Sequence, residues 1–219
     1  MPIRAVIFDM EGVLMDSEVY WRACREDFAR DLGKLWTLDD QQHAMGRNTV
    51  EWARVMQERL GIAMPVQDII DDMIRRVIAR YDERLPLRPG ALEAVRLAAA
   101  HYRVGLASGS PTPVIQVAMQ RSGLDRAFQV MVYGDDIPRG KPAPDIYQEA
   151  LRQLGVAAEE AVGIEDSANG VRALKAAGMW AIAAPSPGFD LPDDVQALAD
   201  RLIDSLEEFS LDLVRGLTD

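Results

Sequence analysis

A continuous apolar run near the start of the chain, Ala5 to Phe8, is the clearest element signal in the sequence. The run is rich in β-branched and aromatic residues, which favours a strand buried on both faces, as in a parallel sheet covered by helices. It ends abruptly on Asp9, and Glu11 and Gly12 follow. Carboxylates at the carboxyl end of such a strand are well placed for a ligand, because open α/β sheets bind ligands outside these strand ends.

The next part of the chain shows helical periodicity and no strand pattern. Residues 18–84 predict four helices, with Ser17 as the N-cap of the first and Asn48 with Glu51 as a capping pair for the third. The proline-rich stretch Leu85–Gly90 reads as a linker. The two crossings at residues 15–17 and 85–90 therefore predict a hinge between two separately packed bodies.

Strand and helix patterns alternate from residue 91 onward. The predicted strands are 103–107, 130–133, 161–164 and 179–183, and the predicted helices between them are 91–101, 113–121, 144–154 and 171–177. Such alternation implies βαβ units and a parallel sheet with right-handed crossovers. We expect an α/β fold: a Rossmann-like parallel sheet with helices on both faces, formed by residues 1–16 and 86–219, and an inserted all-helical cap domain, residues 17–85.

Composition narrows the range of partners. Among 219 residues, 24 are basic and 35 acidic, giving a net charge of −11, which argues against non-specific binding to nucleic acid or to an anionic membrane. The single cysteine, Cys24, cannot form an internal disulfide, which favours a reducing compartment. No apolar run reaches transmembrane length and no signal-peptide layout precedes the first strand. We expect a cytoplasmic protein, monomeric or weakly dimeric, whose partner is a small molecule.

Polar residues follow four of the predicted strands or the loops after them, at the same sheet edge: Asp9 with Glu11; Ser108 with Gly109 and Ser110; Lys141; and Glu165 with Asp166. Each group alone is typical of a solvated turn, a helix cap or a loop. Together they supply what phosphoryl transfer needs: an attacking carboxylate, oxygen ligands for a hard cation, hydroxyl and backbone donors for phosphate, a lysine, and a second carboxylate for proton transfer.

The sequence resembles the haloacid dehalogenase superfamily of hydrolases, in the helical-cap branch that includes β-phosphoglucomutase-like and sugar-phosphate phosphatase proteins. The matching motifs are Phe8-Asp-Met-Glu-Gly-Val-Leu14, Asp16-Ser-Glu18, Leu106-Ala-Ser-Gly-Ser110, Gly140-Lys-Pro-Ala-Pro-Asp-Ile-Tyr147 and Gly163-Ile-Glu-Asp-Ser-Ala-Asn-Gly170. The resemblance implies Asp9 as the nucleophile and Ser108 and Lys141 as phosphate-binding residues. It also implies Mg²⁺ held by Asp9, the backbone carbonyl of Glu11, and Asp166, with Glu165 near the metal.

Two positions depart from the family pattern. Glu11 stands where the family has an aspartate, so the acid/base carboxylate has an extra methylene. That length difference predicts that Glu11→Asp raises kcat. Trp21 stands where β-phosphoglucomutases have a histidine, which weakens the mutase interpretation and favours a phosphatase.

Substrate choice is expected to lie with the cap. Trp21, Gly46, Arg47 and Asn48 sit where the entry helix and the following turn face the site, although Trp21 also fits the apolar core of the cap and Arg47 a solvated turn. Gly109 and Ser110 are the expected substrate contacts from the sheet domain.

The leading hypothesis is a Mg²⁺-dependent phosphatase acting on a sugar or polyol phosphate through an aspartyl-phosphate on Asp9. Three alternatives stay open: a phosphosugar mutase, a binding protein in which Glu11 impairs catalysis, and carbon–halogen hydrolysis. The last of these leaves Glu165 and Asp166 without a role.

Overall fold

The computed structural model describes residues 1–44, 47–186 and 190–218. A six-stranded, all-parallel sheet forms its centre, in the spatial order β3-β2-β1-β4-β5-β6. The strands are β1 (Ala5–Phe8), β2 (Arg103–Ser108), β3 (Val130–Tyr133), β4 (Ala161–Glu165), β5 (Trp180–Ala183) and β6 (Arg201–Leu202). The predicted α/β fold is confirmed.

Helices fill the connections between the strands. Those before β2 are α1 (Glu18–Asp31), α2 (Leu38–Ala44), α3 (Thr49–Leu60), α4 (Val66–Glu83) and α5 (Ala91–His101). Those after it are α6 (Thr112–Ser122), α7 (Asp145–Leu154), α8 (Ala168–Ala176), α9 (Asp193–Gln196) and α10 (Leu211–Arg215). Short 3₁₀ helices cover Gly134–Asp136, Ala158–Glu160 and Leu206–Glu208. None of the helices in these described ranges is both long and apolar enough to cross a membrane.

The first strand is buried on both faces, as its uninterrupted apolar sequence predicts. All four residues of β1 are fully buried. Phe8 packs on one face, where its ring meets those of Phe128 and Phe209 at centroid distances of 6.3 and 6.0 Å. Ile7 joins the apolar cluster on the opposite face, which contains Tyr147. Asp9 therefore follows a fully buried strand in the centre of the sheet.

The four helices α1–α4 form one insertion between β1 and α5. The chain segments that enter and leave it are hydrogen-bonded to each other: Asp16 N donates to Pro86 O at 2.7 Å and Arg88 N donates to Leu14 O at 3.0 Å. The described residues of the predicted cap thus form helices joined by loops, with no strand among them. The exact domain boundary after residues 16 and 85 stays a prediction.

The cap and the sheet domain are in apolar contact in this structure, and the hinge at the two crossings stays a prediction. The buried apolar cluster around Phe8 continues through Met10 and Leu14 to Trp21 and Trp52 in the cap. Helix α4 also contacts α6 of the sheet domain, where Arg121 pairs with Asp82. The cap and this face of the sheet therefore share one continuous core.

Two helix starts differ from their predictions. Ser17 does not cap α1 with its side chain; its backbone carbonyl instead accepts hydrogen bonds from Tyr20 N and Trp21 N. Helix α8 begins three residues early because the Ser167 hydroxyl accepts a hydrogen bond from Gly170 N at 3.0 Å. The early start brings the beginning of α8 directly behind Glu165 and Asp166.

Candidate active site

The order of the strands reverses at β1: β2 and β3 follow on one side of it, and β4 lies on its other side. In open α/β sheets the crevice at such a switch point is where ligands bind. Asp9 follows β1, Ser108 ends β2 and Glu165 ends β4. These three residues and the loop carrying Lys141 are brought to one sheet edge, as predicted.

Lys141 joins two of the carboxylates that sequence analysis assigned to separate strand ends. Its Nζ lies 2.7 Å from Asp9 Oδ1 and 2.5 Å from Glu165 Oε1, and it donates to Ala107 O at 3.3 Å. Burial alone would lower the pKa of Lys141, but the charges of Asp9 and Glu165 outweigh it and hold that pKa above its usual value. The lysine is therefore a fixed positive charge beside Asp9.

Glu165 orients the Lys141 side chain, and buried neighbours hold the Glu165 carboxylate in turn. Its side chain is fully buried and accepts hydrogen bonds from Tyr147 OH at 2.5 Å and Ser167 Oγ at 3.2 Å. A Cβ at Gly170 would lie 1.9 Å from the Glu165 carboxyl carbon, so only glycine fits there. These contacts hold the Glu165 carboxylate in one orientation.

Asp9, Glu165 and Asp166 form an acidic cluster whose carboxylate oxygens lie within 4.8 Å of one another. Burial raises the pKa of Asp9 to about 7, although Lys141 opposes the shift. Burial, with the charges of Glu165 and Asp9, also raises the pKa of Asp166. One lysine does not balance three neighbouring carboxylates, and their oxygen ligands suit a hard divalent cation such as Mg²⁺.

Gly12 gives Asp166 its place in this cluster. The glycine has φ of 72°, and a Cβ built there would lie 1.8 Å from Asp166 Oδ2. The turn after β1 therefore needs glycine both for its left-handed backbone and for the space that Asp166 occupies. The predicted metal contact of the Glu11 backbone carbonyl stays a prediction.

The side chain of Glu11 connects the sheet domain to the cap. Its Oε1 accepts a hydrogen bond from Ser110 Oγ at 2.8 Å and one from the Trp21 indole Nε1 at 3.4 Å. Burial raises the pKa of Glu11 to about 8; the bond from Ser110 opposes this shift and the charge of Asp9 adds to it. A protonated carboxyl beside Asp9 is suited to giving a proton to a leaving group.

The loop after β2 provides polar groups on the same wall. Ser108 is fully buried, and its Oγ accepts a hydrogen bond from Ser110 N at 3.3 Å. Ser108, Gly109 and Ser110 line a cavity of about 830 Å³ together with Asp9, Lys141 and Asp166. This volume is in the range that holds a small metabolite.

The cap forms the opposite wall of this cavity. Trp21, Arg47 and Asn48 line it, and Gly46 lies outside the described residues. Trp21 also packs on Trp52 at a ring-centroid distance of 5.6 Å, so its two predicted placements, cap core and site wall, are both observed. Asn48 is committed to capping α3 by accepting from Glu51 N at 3.0 Å, and Arg47 Nε donates to His43 O at 2.6 Å.

Sequence reasoning missed three residues that shape the site. Tyr147 holds Glu165, Thr49 Oγ1 donates to Asp135 Oδ1 at 3.0 Å across the cavity, and Arg25 lines the cavity wall. Tyr147 ends the motif that begins at Gly140, but no role of its own was assigned to it from the sequence. Arg25 follows Trp21 by four residues, a spacing that places both on one helix face.

Comparison with known proteins gives four consistent findings. A sequence profile described as haloacid dehalogenase-like hydrolase matches residues 3–178. The chain is 36% identical to the phosphorylated carbohydrates phosphatase of Thermotoga maritima, covering 81% of this chain and 82% of that protein. It is 32% identical to hexitol phosphatase B of Escherichia coli, covering 95% of each. The crystal structure of CbbY from Rhodobacter sphaeroides in complex with phosphate superposes with a TM-score of 0.85 at 28% identity, covering 98% of this chain and 99% of that one.

Proposed function

Because this chain belongs to the haloacid dehalogenase-like hydrolase family, we propose that it is a Mg²⁺-dependent phosphatase of a small phosphorylated metabolite. The observation that carries the proposal is the placement of Lys141 between Asp9 and Glu165 at the switch point of the sheet. The substrate class is a sugar or polyol phosphate. The names of the relatives from Thermotoga maritima and Escherichia coli support that class.

The proposed reaction has two steps. In the first, a carboxylate oxygen of Asp9 attacks phosphorus, the bond from phosphorus to the ester oxygen breaks, and the leaving alcohol takes a proton from Glu11. In the second, Glu11 takes a proton from water as that water attacks the aspartyl-phosphate, which releases inorganic phosphate and restores Asp9. Both steps suit the Glu11 carboxyl, which Ser110 holds beside the loop that follows β2.

Lys141 and Ser108 are the proposed phosphate-binding side chains. The lysine neutralises charge on Asp9 before attack and on the phosphoryl group during it. Ser108 and the backbone N–H groups after it give hydrogen bonds to phosphate oxygens where α6 approaches the site. These groups stabilise the charge that develops on the phosphoryl oxygens.

The acidic cluster fits a magnesium ion by the chemistry of its donors. Asp9, Asp166 and Glu165 would hold it. Burial raises the pKa values of Asp9 and Asp166, and the charge of Glu165 adds to both shifts; a bound cation would favour their ionised forms. When bound, Mg²⁺ neutralises phosphate charge and orients the phosphoryl group for in-line attack. A cytoplasmic location and a monomeric or weakly dimeric state stay predictions.

A panel of sugar and polyol phosphates, incubated with the protein and Mg²⁺, tests the proposal. We expect phosphate release from several members and little formation of isomerised sugar phosphate. The indole of Trp21 offers only an N–H donor on the cap wall, so it cannot replace a histidine as a proton acceptor there, which favours the phosphatase over a mutase. A product mixture dominated by the isomer would contradict the phosphatase proposal, as would the absence of any phosphate release.

A further inference from the structure

Arg25, in the middle of α1, is a buried charge whose hydrogen-bonding groups lack partners. Only 4% of its surface is exposed. Its Nε and Nη1 atoms are buried and make no hydrogen bond to any residue that the structure describes. Buried charged groups in proteins are normally hydrogen-bonded and paired, because leaving their donors unsatisfied is costly. The position of Arg25 therefore calls for an explanation.

The surroundings of Arg25 stabilise its charge without satisfying its donors. The guanidinium carbon lies 5.5 Å from the ring centroid of Trp21 and 5.9 Å from that of Trp52, within the range of cation–π attraction. Glu18 Oε1 is 3.9 Å from Arg25 Nη1, which is too long for a hydrogen bond. That same Glu18 oxygen accepts a hydrogen bond from Gln41 instead. The two indole rings thus stabilise the guanidinium charge and leave its Nε and Nη1 groups without hydrogen-bond partners among the described residues.

Arg25 lies on the wall of the cavity that contains Asp9 and Lys141. The cavity wall therefore carries three positively charged residues: Lys141 from the sheet domain, and Arg25 and Arg47 from the cap. Arg47 Nε already donates to His43 O. Lys141 is already paired with two carboxylates, whereas Arg25 has only a distant one. A planar guanidinium held against aromatic rings is well suited to bind a carboxylate or phosphate through two parallel hydrogen bonds.

We propose that Arg25 binds a second anionic group of the substrate, so that the preferred substrate is a phosphate ester carrying a carboxylate or a further phosphate. This inference rests on the proposed phosphatase function and narrows its substrate class. The phosphoryl group to be cleaved lies at Asp9, and the second oxyanion lies beside the Arg25 guanidinium on the cap wall of the same cavity. A neutral polyol phosphate leaves the Arg25 donors unsatisfied and is the poorer substrate.

Two pairs of matched compounds test the inference. 6-Phosphogluconate and sorbitol 6-phosphate differ only in a carboxylate against a hydroxymethyl group at the end remote from the phosphate. Fructose 1,6-bisphosphate and fructose 6-phosphate differ by one phosphate. The first pair tests a carboxylate and the second a phosphate as the group bound by Arg25. Calorimetry with Asp9→Asn in the presence of Mg²⁺ measures affinity without turnover, and phosphate release by the wild type measures kcat/KM.

We expect the more highly charged member of at least one pair to bind about tenfold more tightly or better. Arg25→Met, combined with Asp9→Asn, should bring that ratio close to one, and Arg25→Lys should give an intermediate ratio because it keeps the charge but not the fork of donors. Glu18→Gln should raise the ratio, since it removes the carboxylate that competes for Arg25. Thermal unfolding verifies that each variant is folded.

The two possible failures give different results. If neither charged member binds better than its neutral partner, or if Arg25→Met leaves the preference unchanged, the role of Arg25 is wrong even when phosphate is released. If no compound binds, the role of Arg25 is also wrong. If the compounds bind with the expected ratios but the wild type releases no phosphate, the inference about Arg25 stands and the phosphatase proposal fails.

Discussion

Glu11 accepts a hydrogen bond from Ser110, with 2.8 Å between the carboxylate Oε1 and the hydroxyl Oγ. The same oxygen accepts from the indole of Trp21 at 3.4 Å. Both donors are close enough for a glutamate side chain to accept from them. An aspartate at this position is one methylene shorter, so its oxygens lie farther from both donors. Ser110 and Trp21 are therefore placed to bind a glutamate at position 11, where the family pattern has an aspartate.

Side-chain length alone predicts that Glu11→Asp raises kcat, whereas these contacts predict the opposite. We now predict that the substitution lowers kcat by about 100-fold, because a displacement of about 1 Å is enough for such a loss. The measurement is steady-state phosphate release at saturating Mg²⁺. Glu11→Gln is the control, since it keeps the length and the hydrogen-bond acceptor but cannot exchange the proton. An increase in kcat for Glu11→Asp would show that Glu11 impairs the enzyme, as the sequence alone suggested.

The contrast between the strands and the cap shows what the sequence can predict. Buried parallel strands are continuous apolar runs, so β1 to β5 and the polar groups at their ends were located to within one or two residues. Cap side chains depend on how helices are rotated against the sheet, which short-range pattern does not encode. The capping role of Asn48 is local and was predicted, whereas the buried charge of Arg25 depends on tertiary packing and was not.

Gly12 and Gly33 form a matched pair for testing the turn beside the acidic cluster. Both have positive φ, 72° and 65°, but a Cβ would strike Asp166 only at Gly12. Gly33→Ala should reduce the free energy of unfolding by about 1–2 kcal/mol, the cost of a left-handed alanine. Gly12→Ala should cost more and also weaken Mg²⁺ binding, because Asp166 must move. Urea unfolding and calorimetry with Mg²⁺ measure these effects, and equal results for the two variants would contradict the account.

Asp166 is the member of the acidic cluster most free to serve the metal, since Lys141 contacts the other two. Asp166→Asn should raise the Mg²⁺ concentration for half-maximal activity by about tenfold or more. Asp190→Asn, at an exposed position on the cavity rim, is the control. Removal of the metal with a chelator should abolish phosphate release and addition of Mg²⁺ should restore it. Activity that survives the chelator would rule out the metal-dependent mechanism.

The hydrogen bond from Thr49 to Asp135 links the cap to the start of α6, because Asp135 Oδ2 also accepts a hydrogen bond from Thr112 N at 2.8 Å. Thr49→Val removes the hydroxyl with little change of shape and should raise KM by about 3- to 10-fold, the value of one net hydrogen bond. Thr49→Ser keeps the hydroxyl and should retain a KM near the wild-type value. Identical KM values for the valine and serine variants would show that this hydrogen bond does not contribute to substrate binding.

The most direct test of the central claim compares phosphate release by the wild type with that by Asp9→Asn, using the best substrate of the panel and saturating Mg²⁺. Asp16→Asn, which removes a different carboxylate from the cavity wall, is the control for charge. We predict that Asp9→Asn releases no phosphate above background, because an amide cannot act as the nucleophile, while Asp16→Asn keeps most of the wild-type rate. Phosphate release by a folded Asp9→Asn protein at a rate near that of the wild type would contradict an aspartyl-phosphate on Asp9.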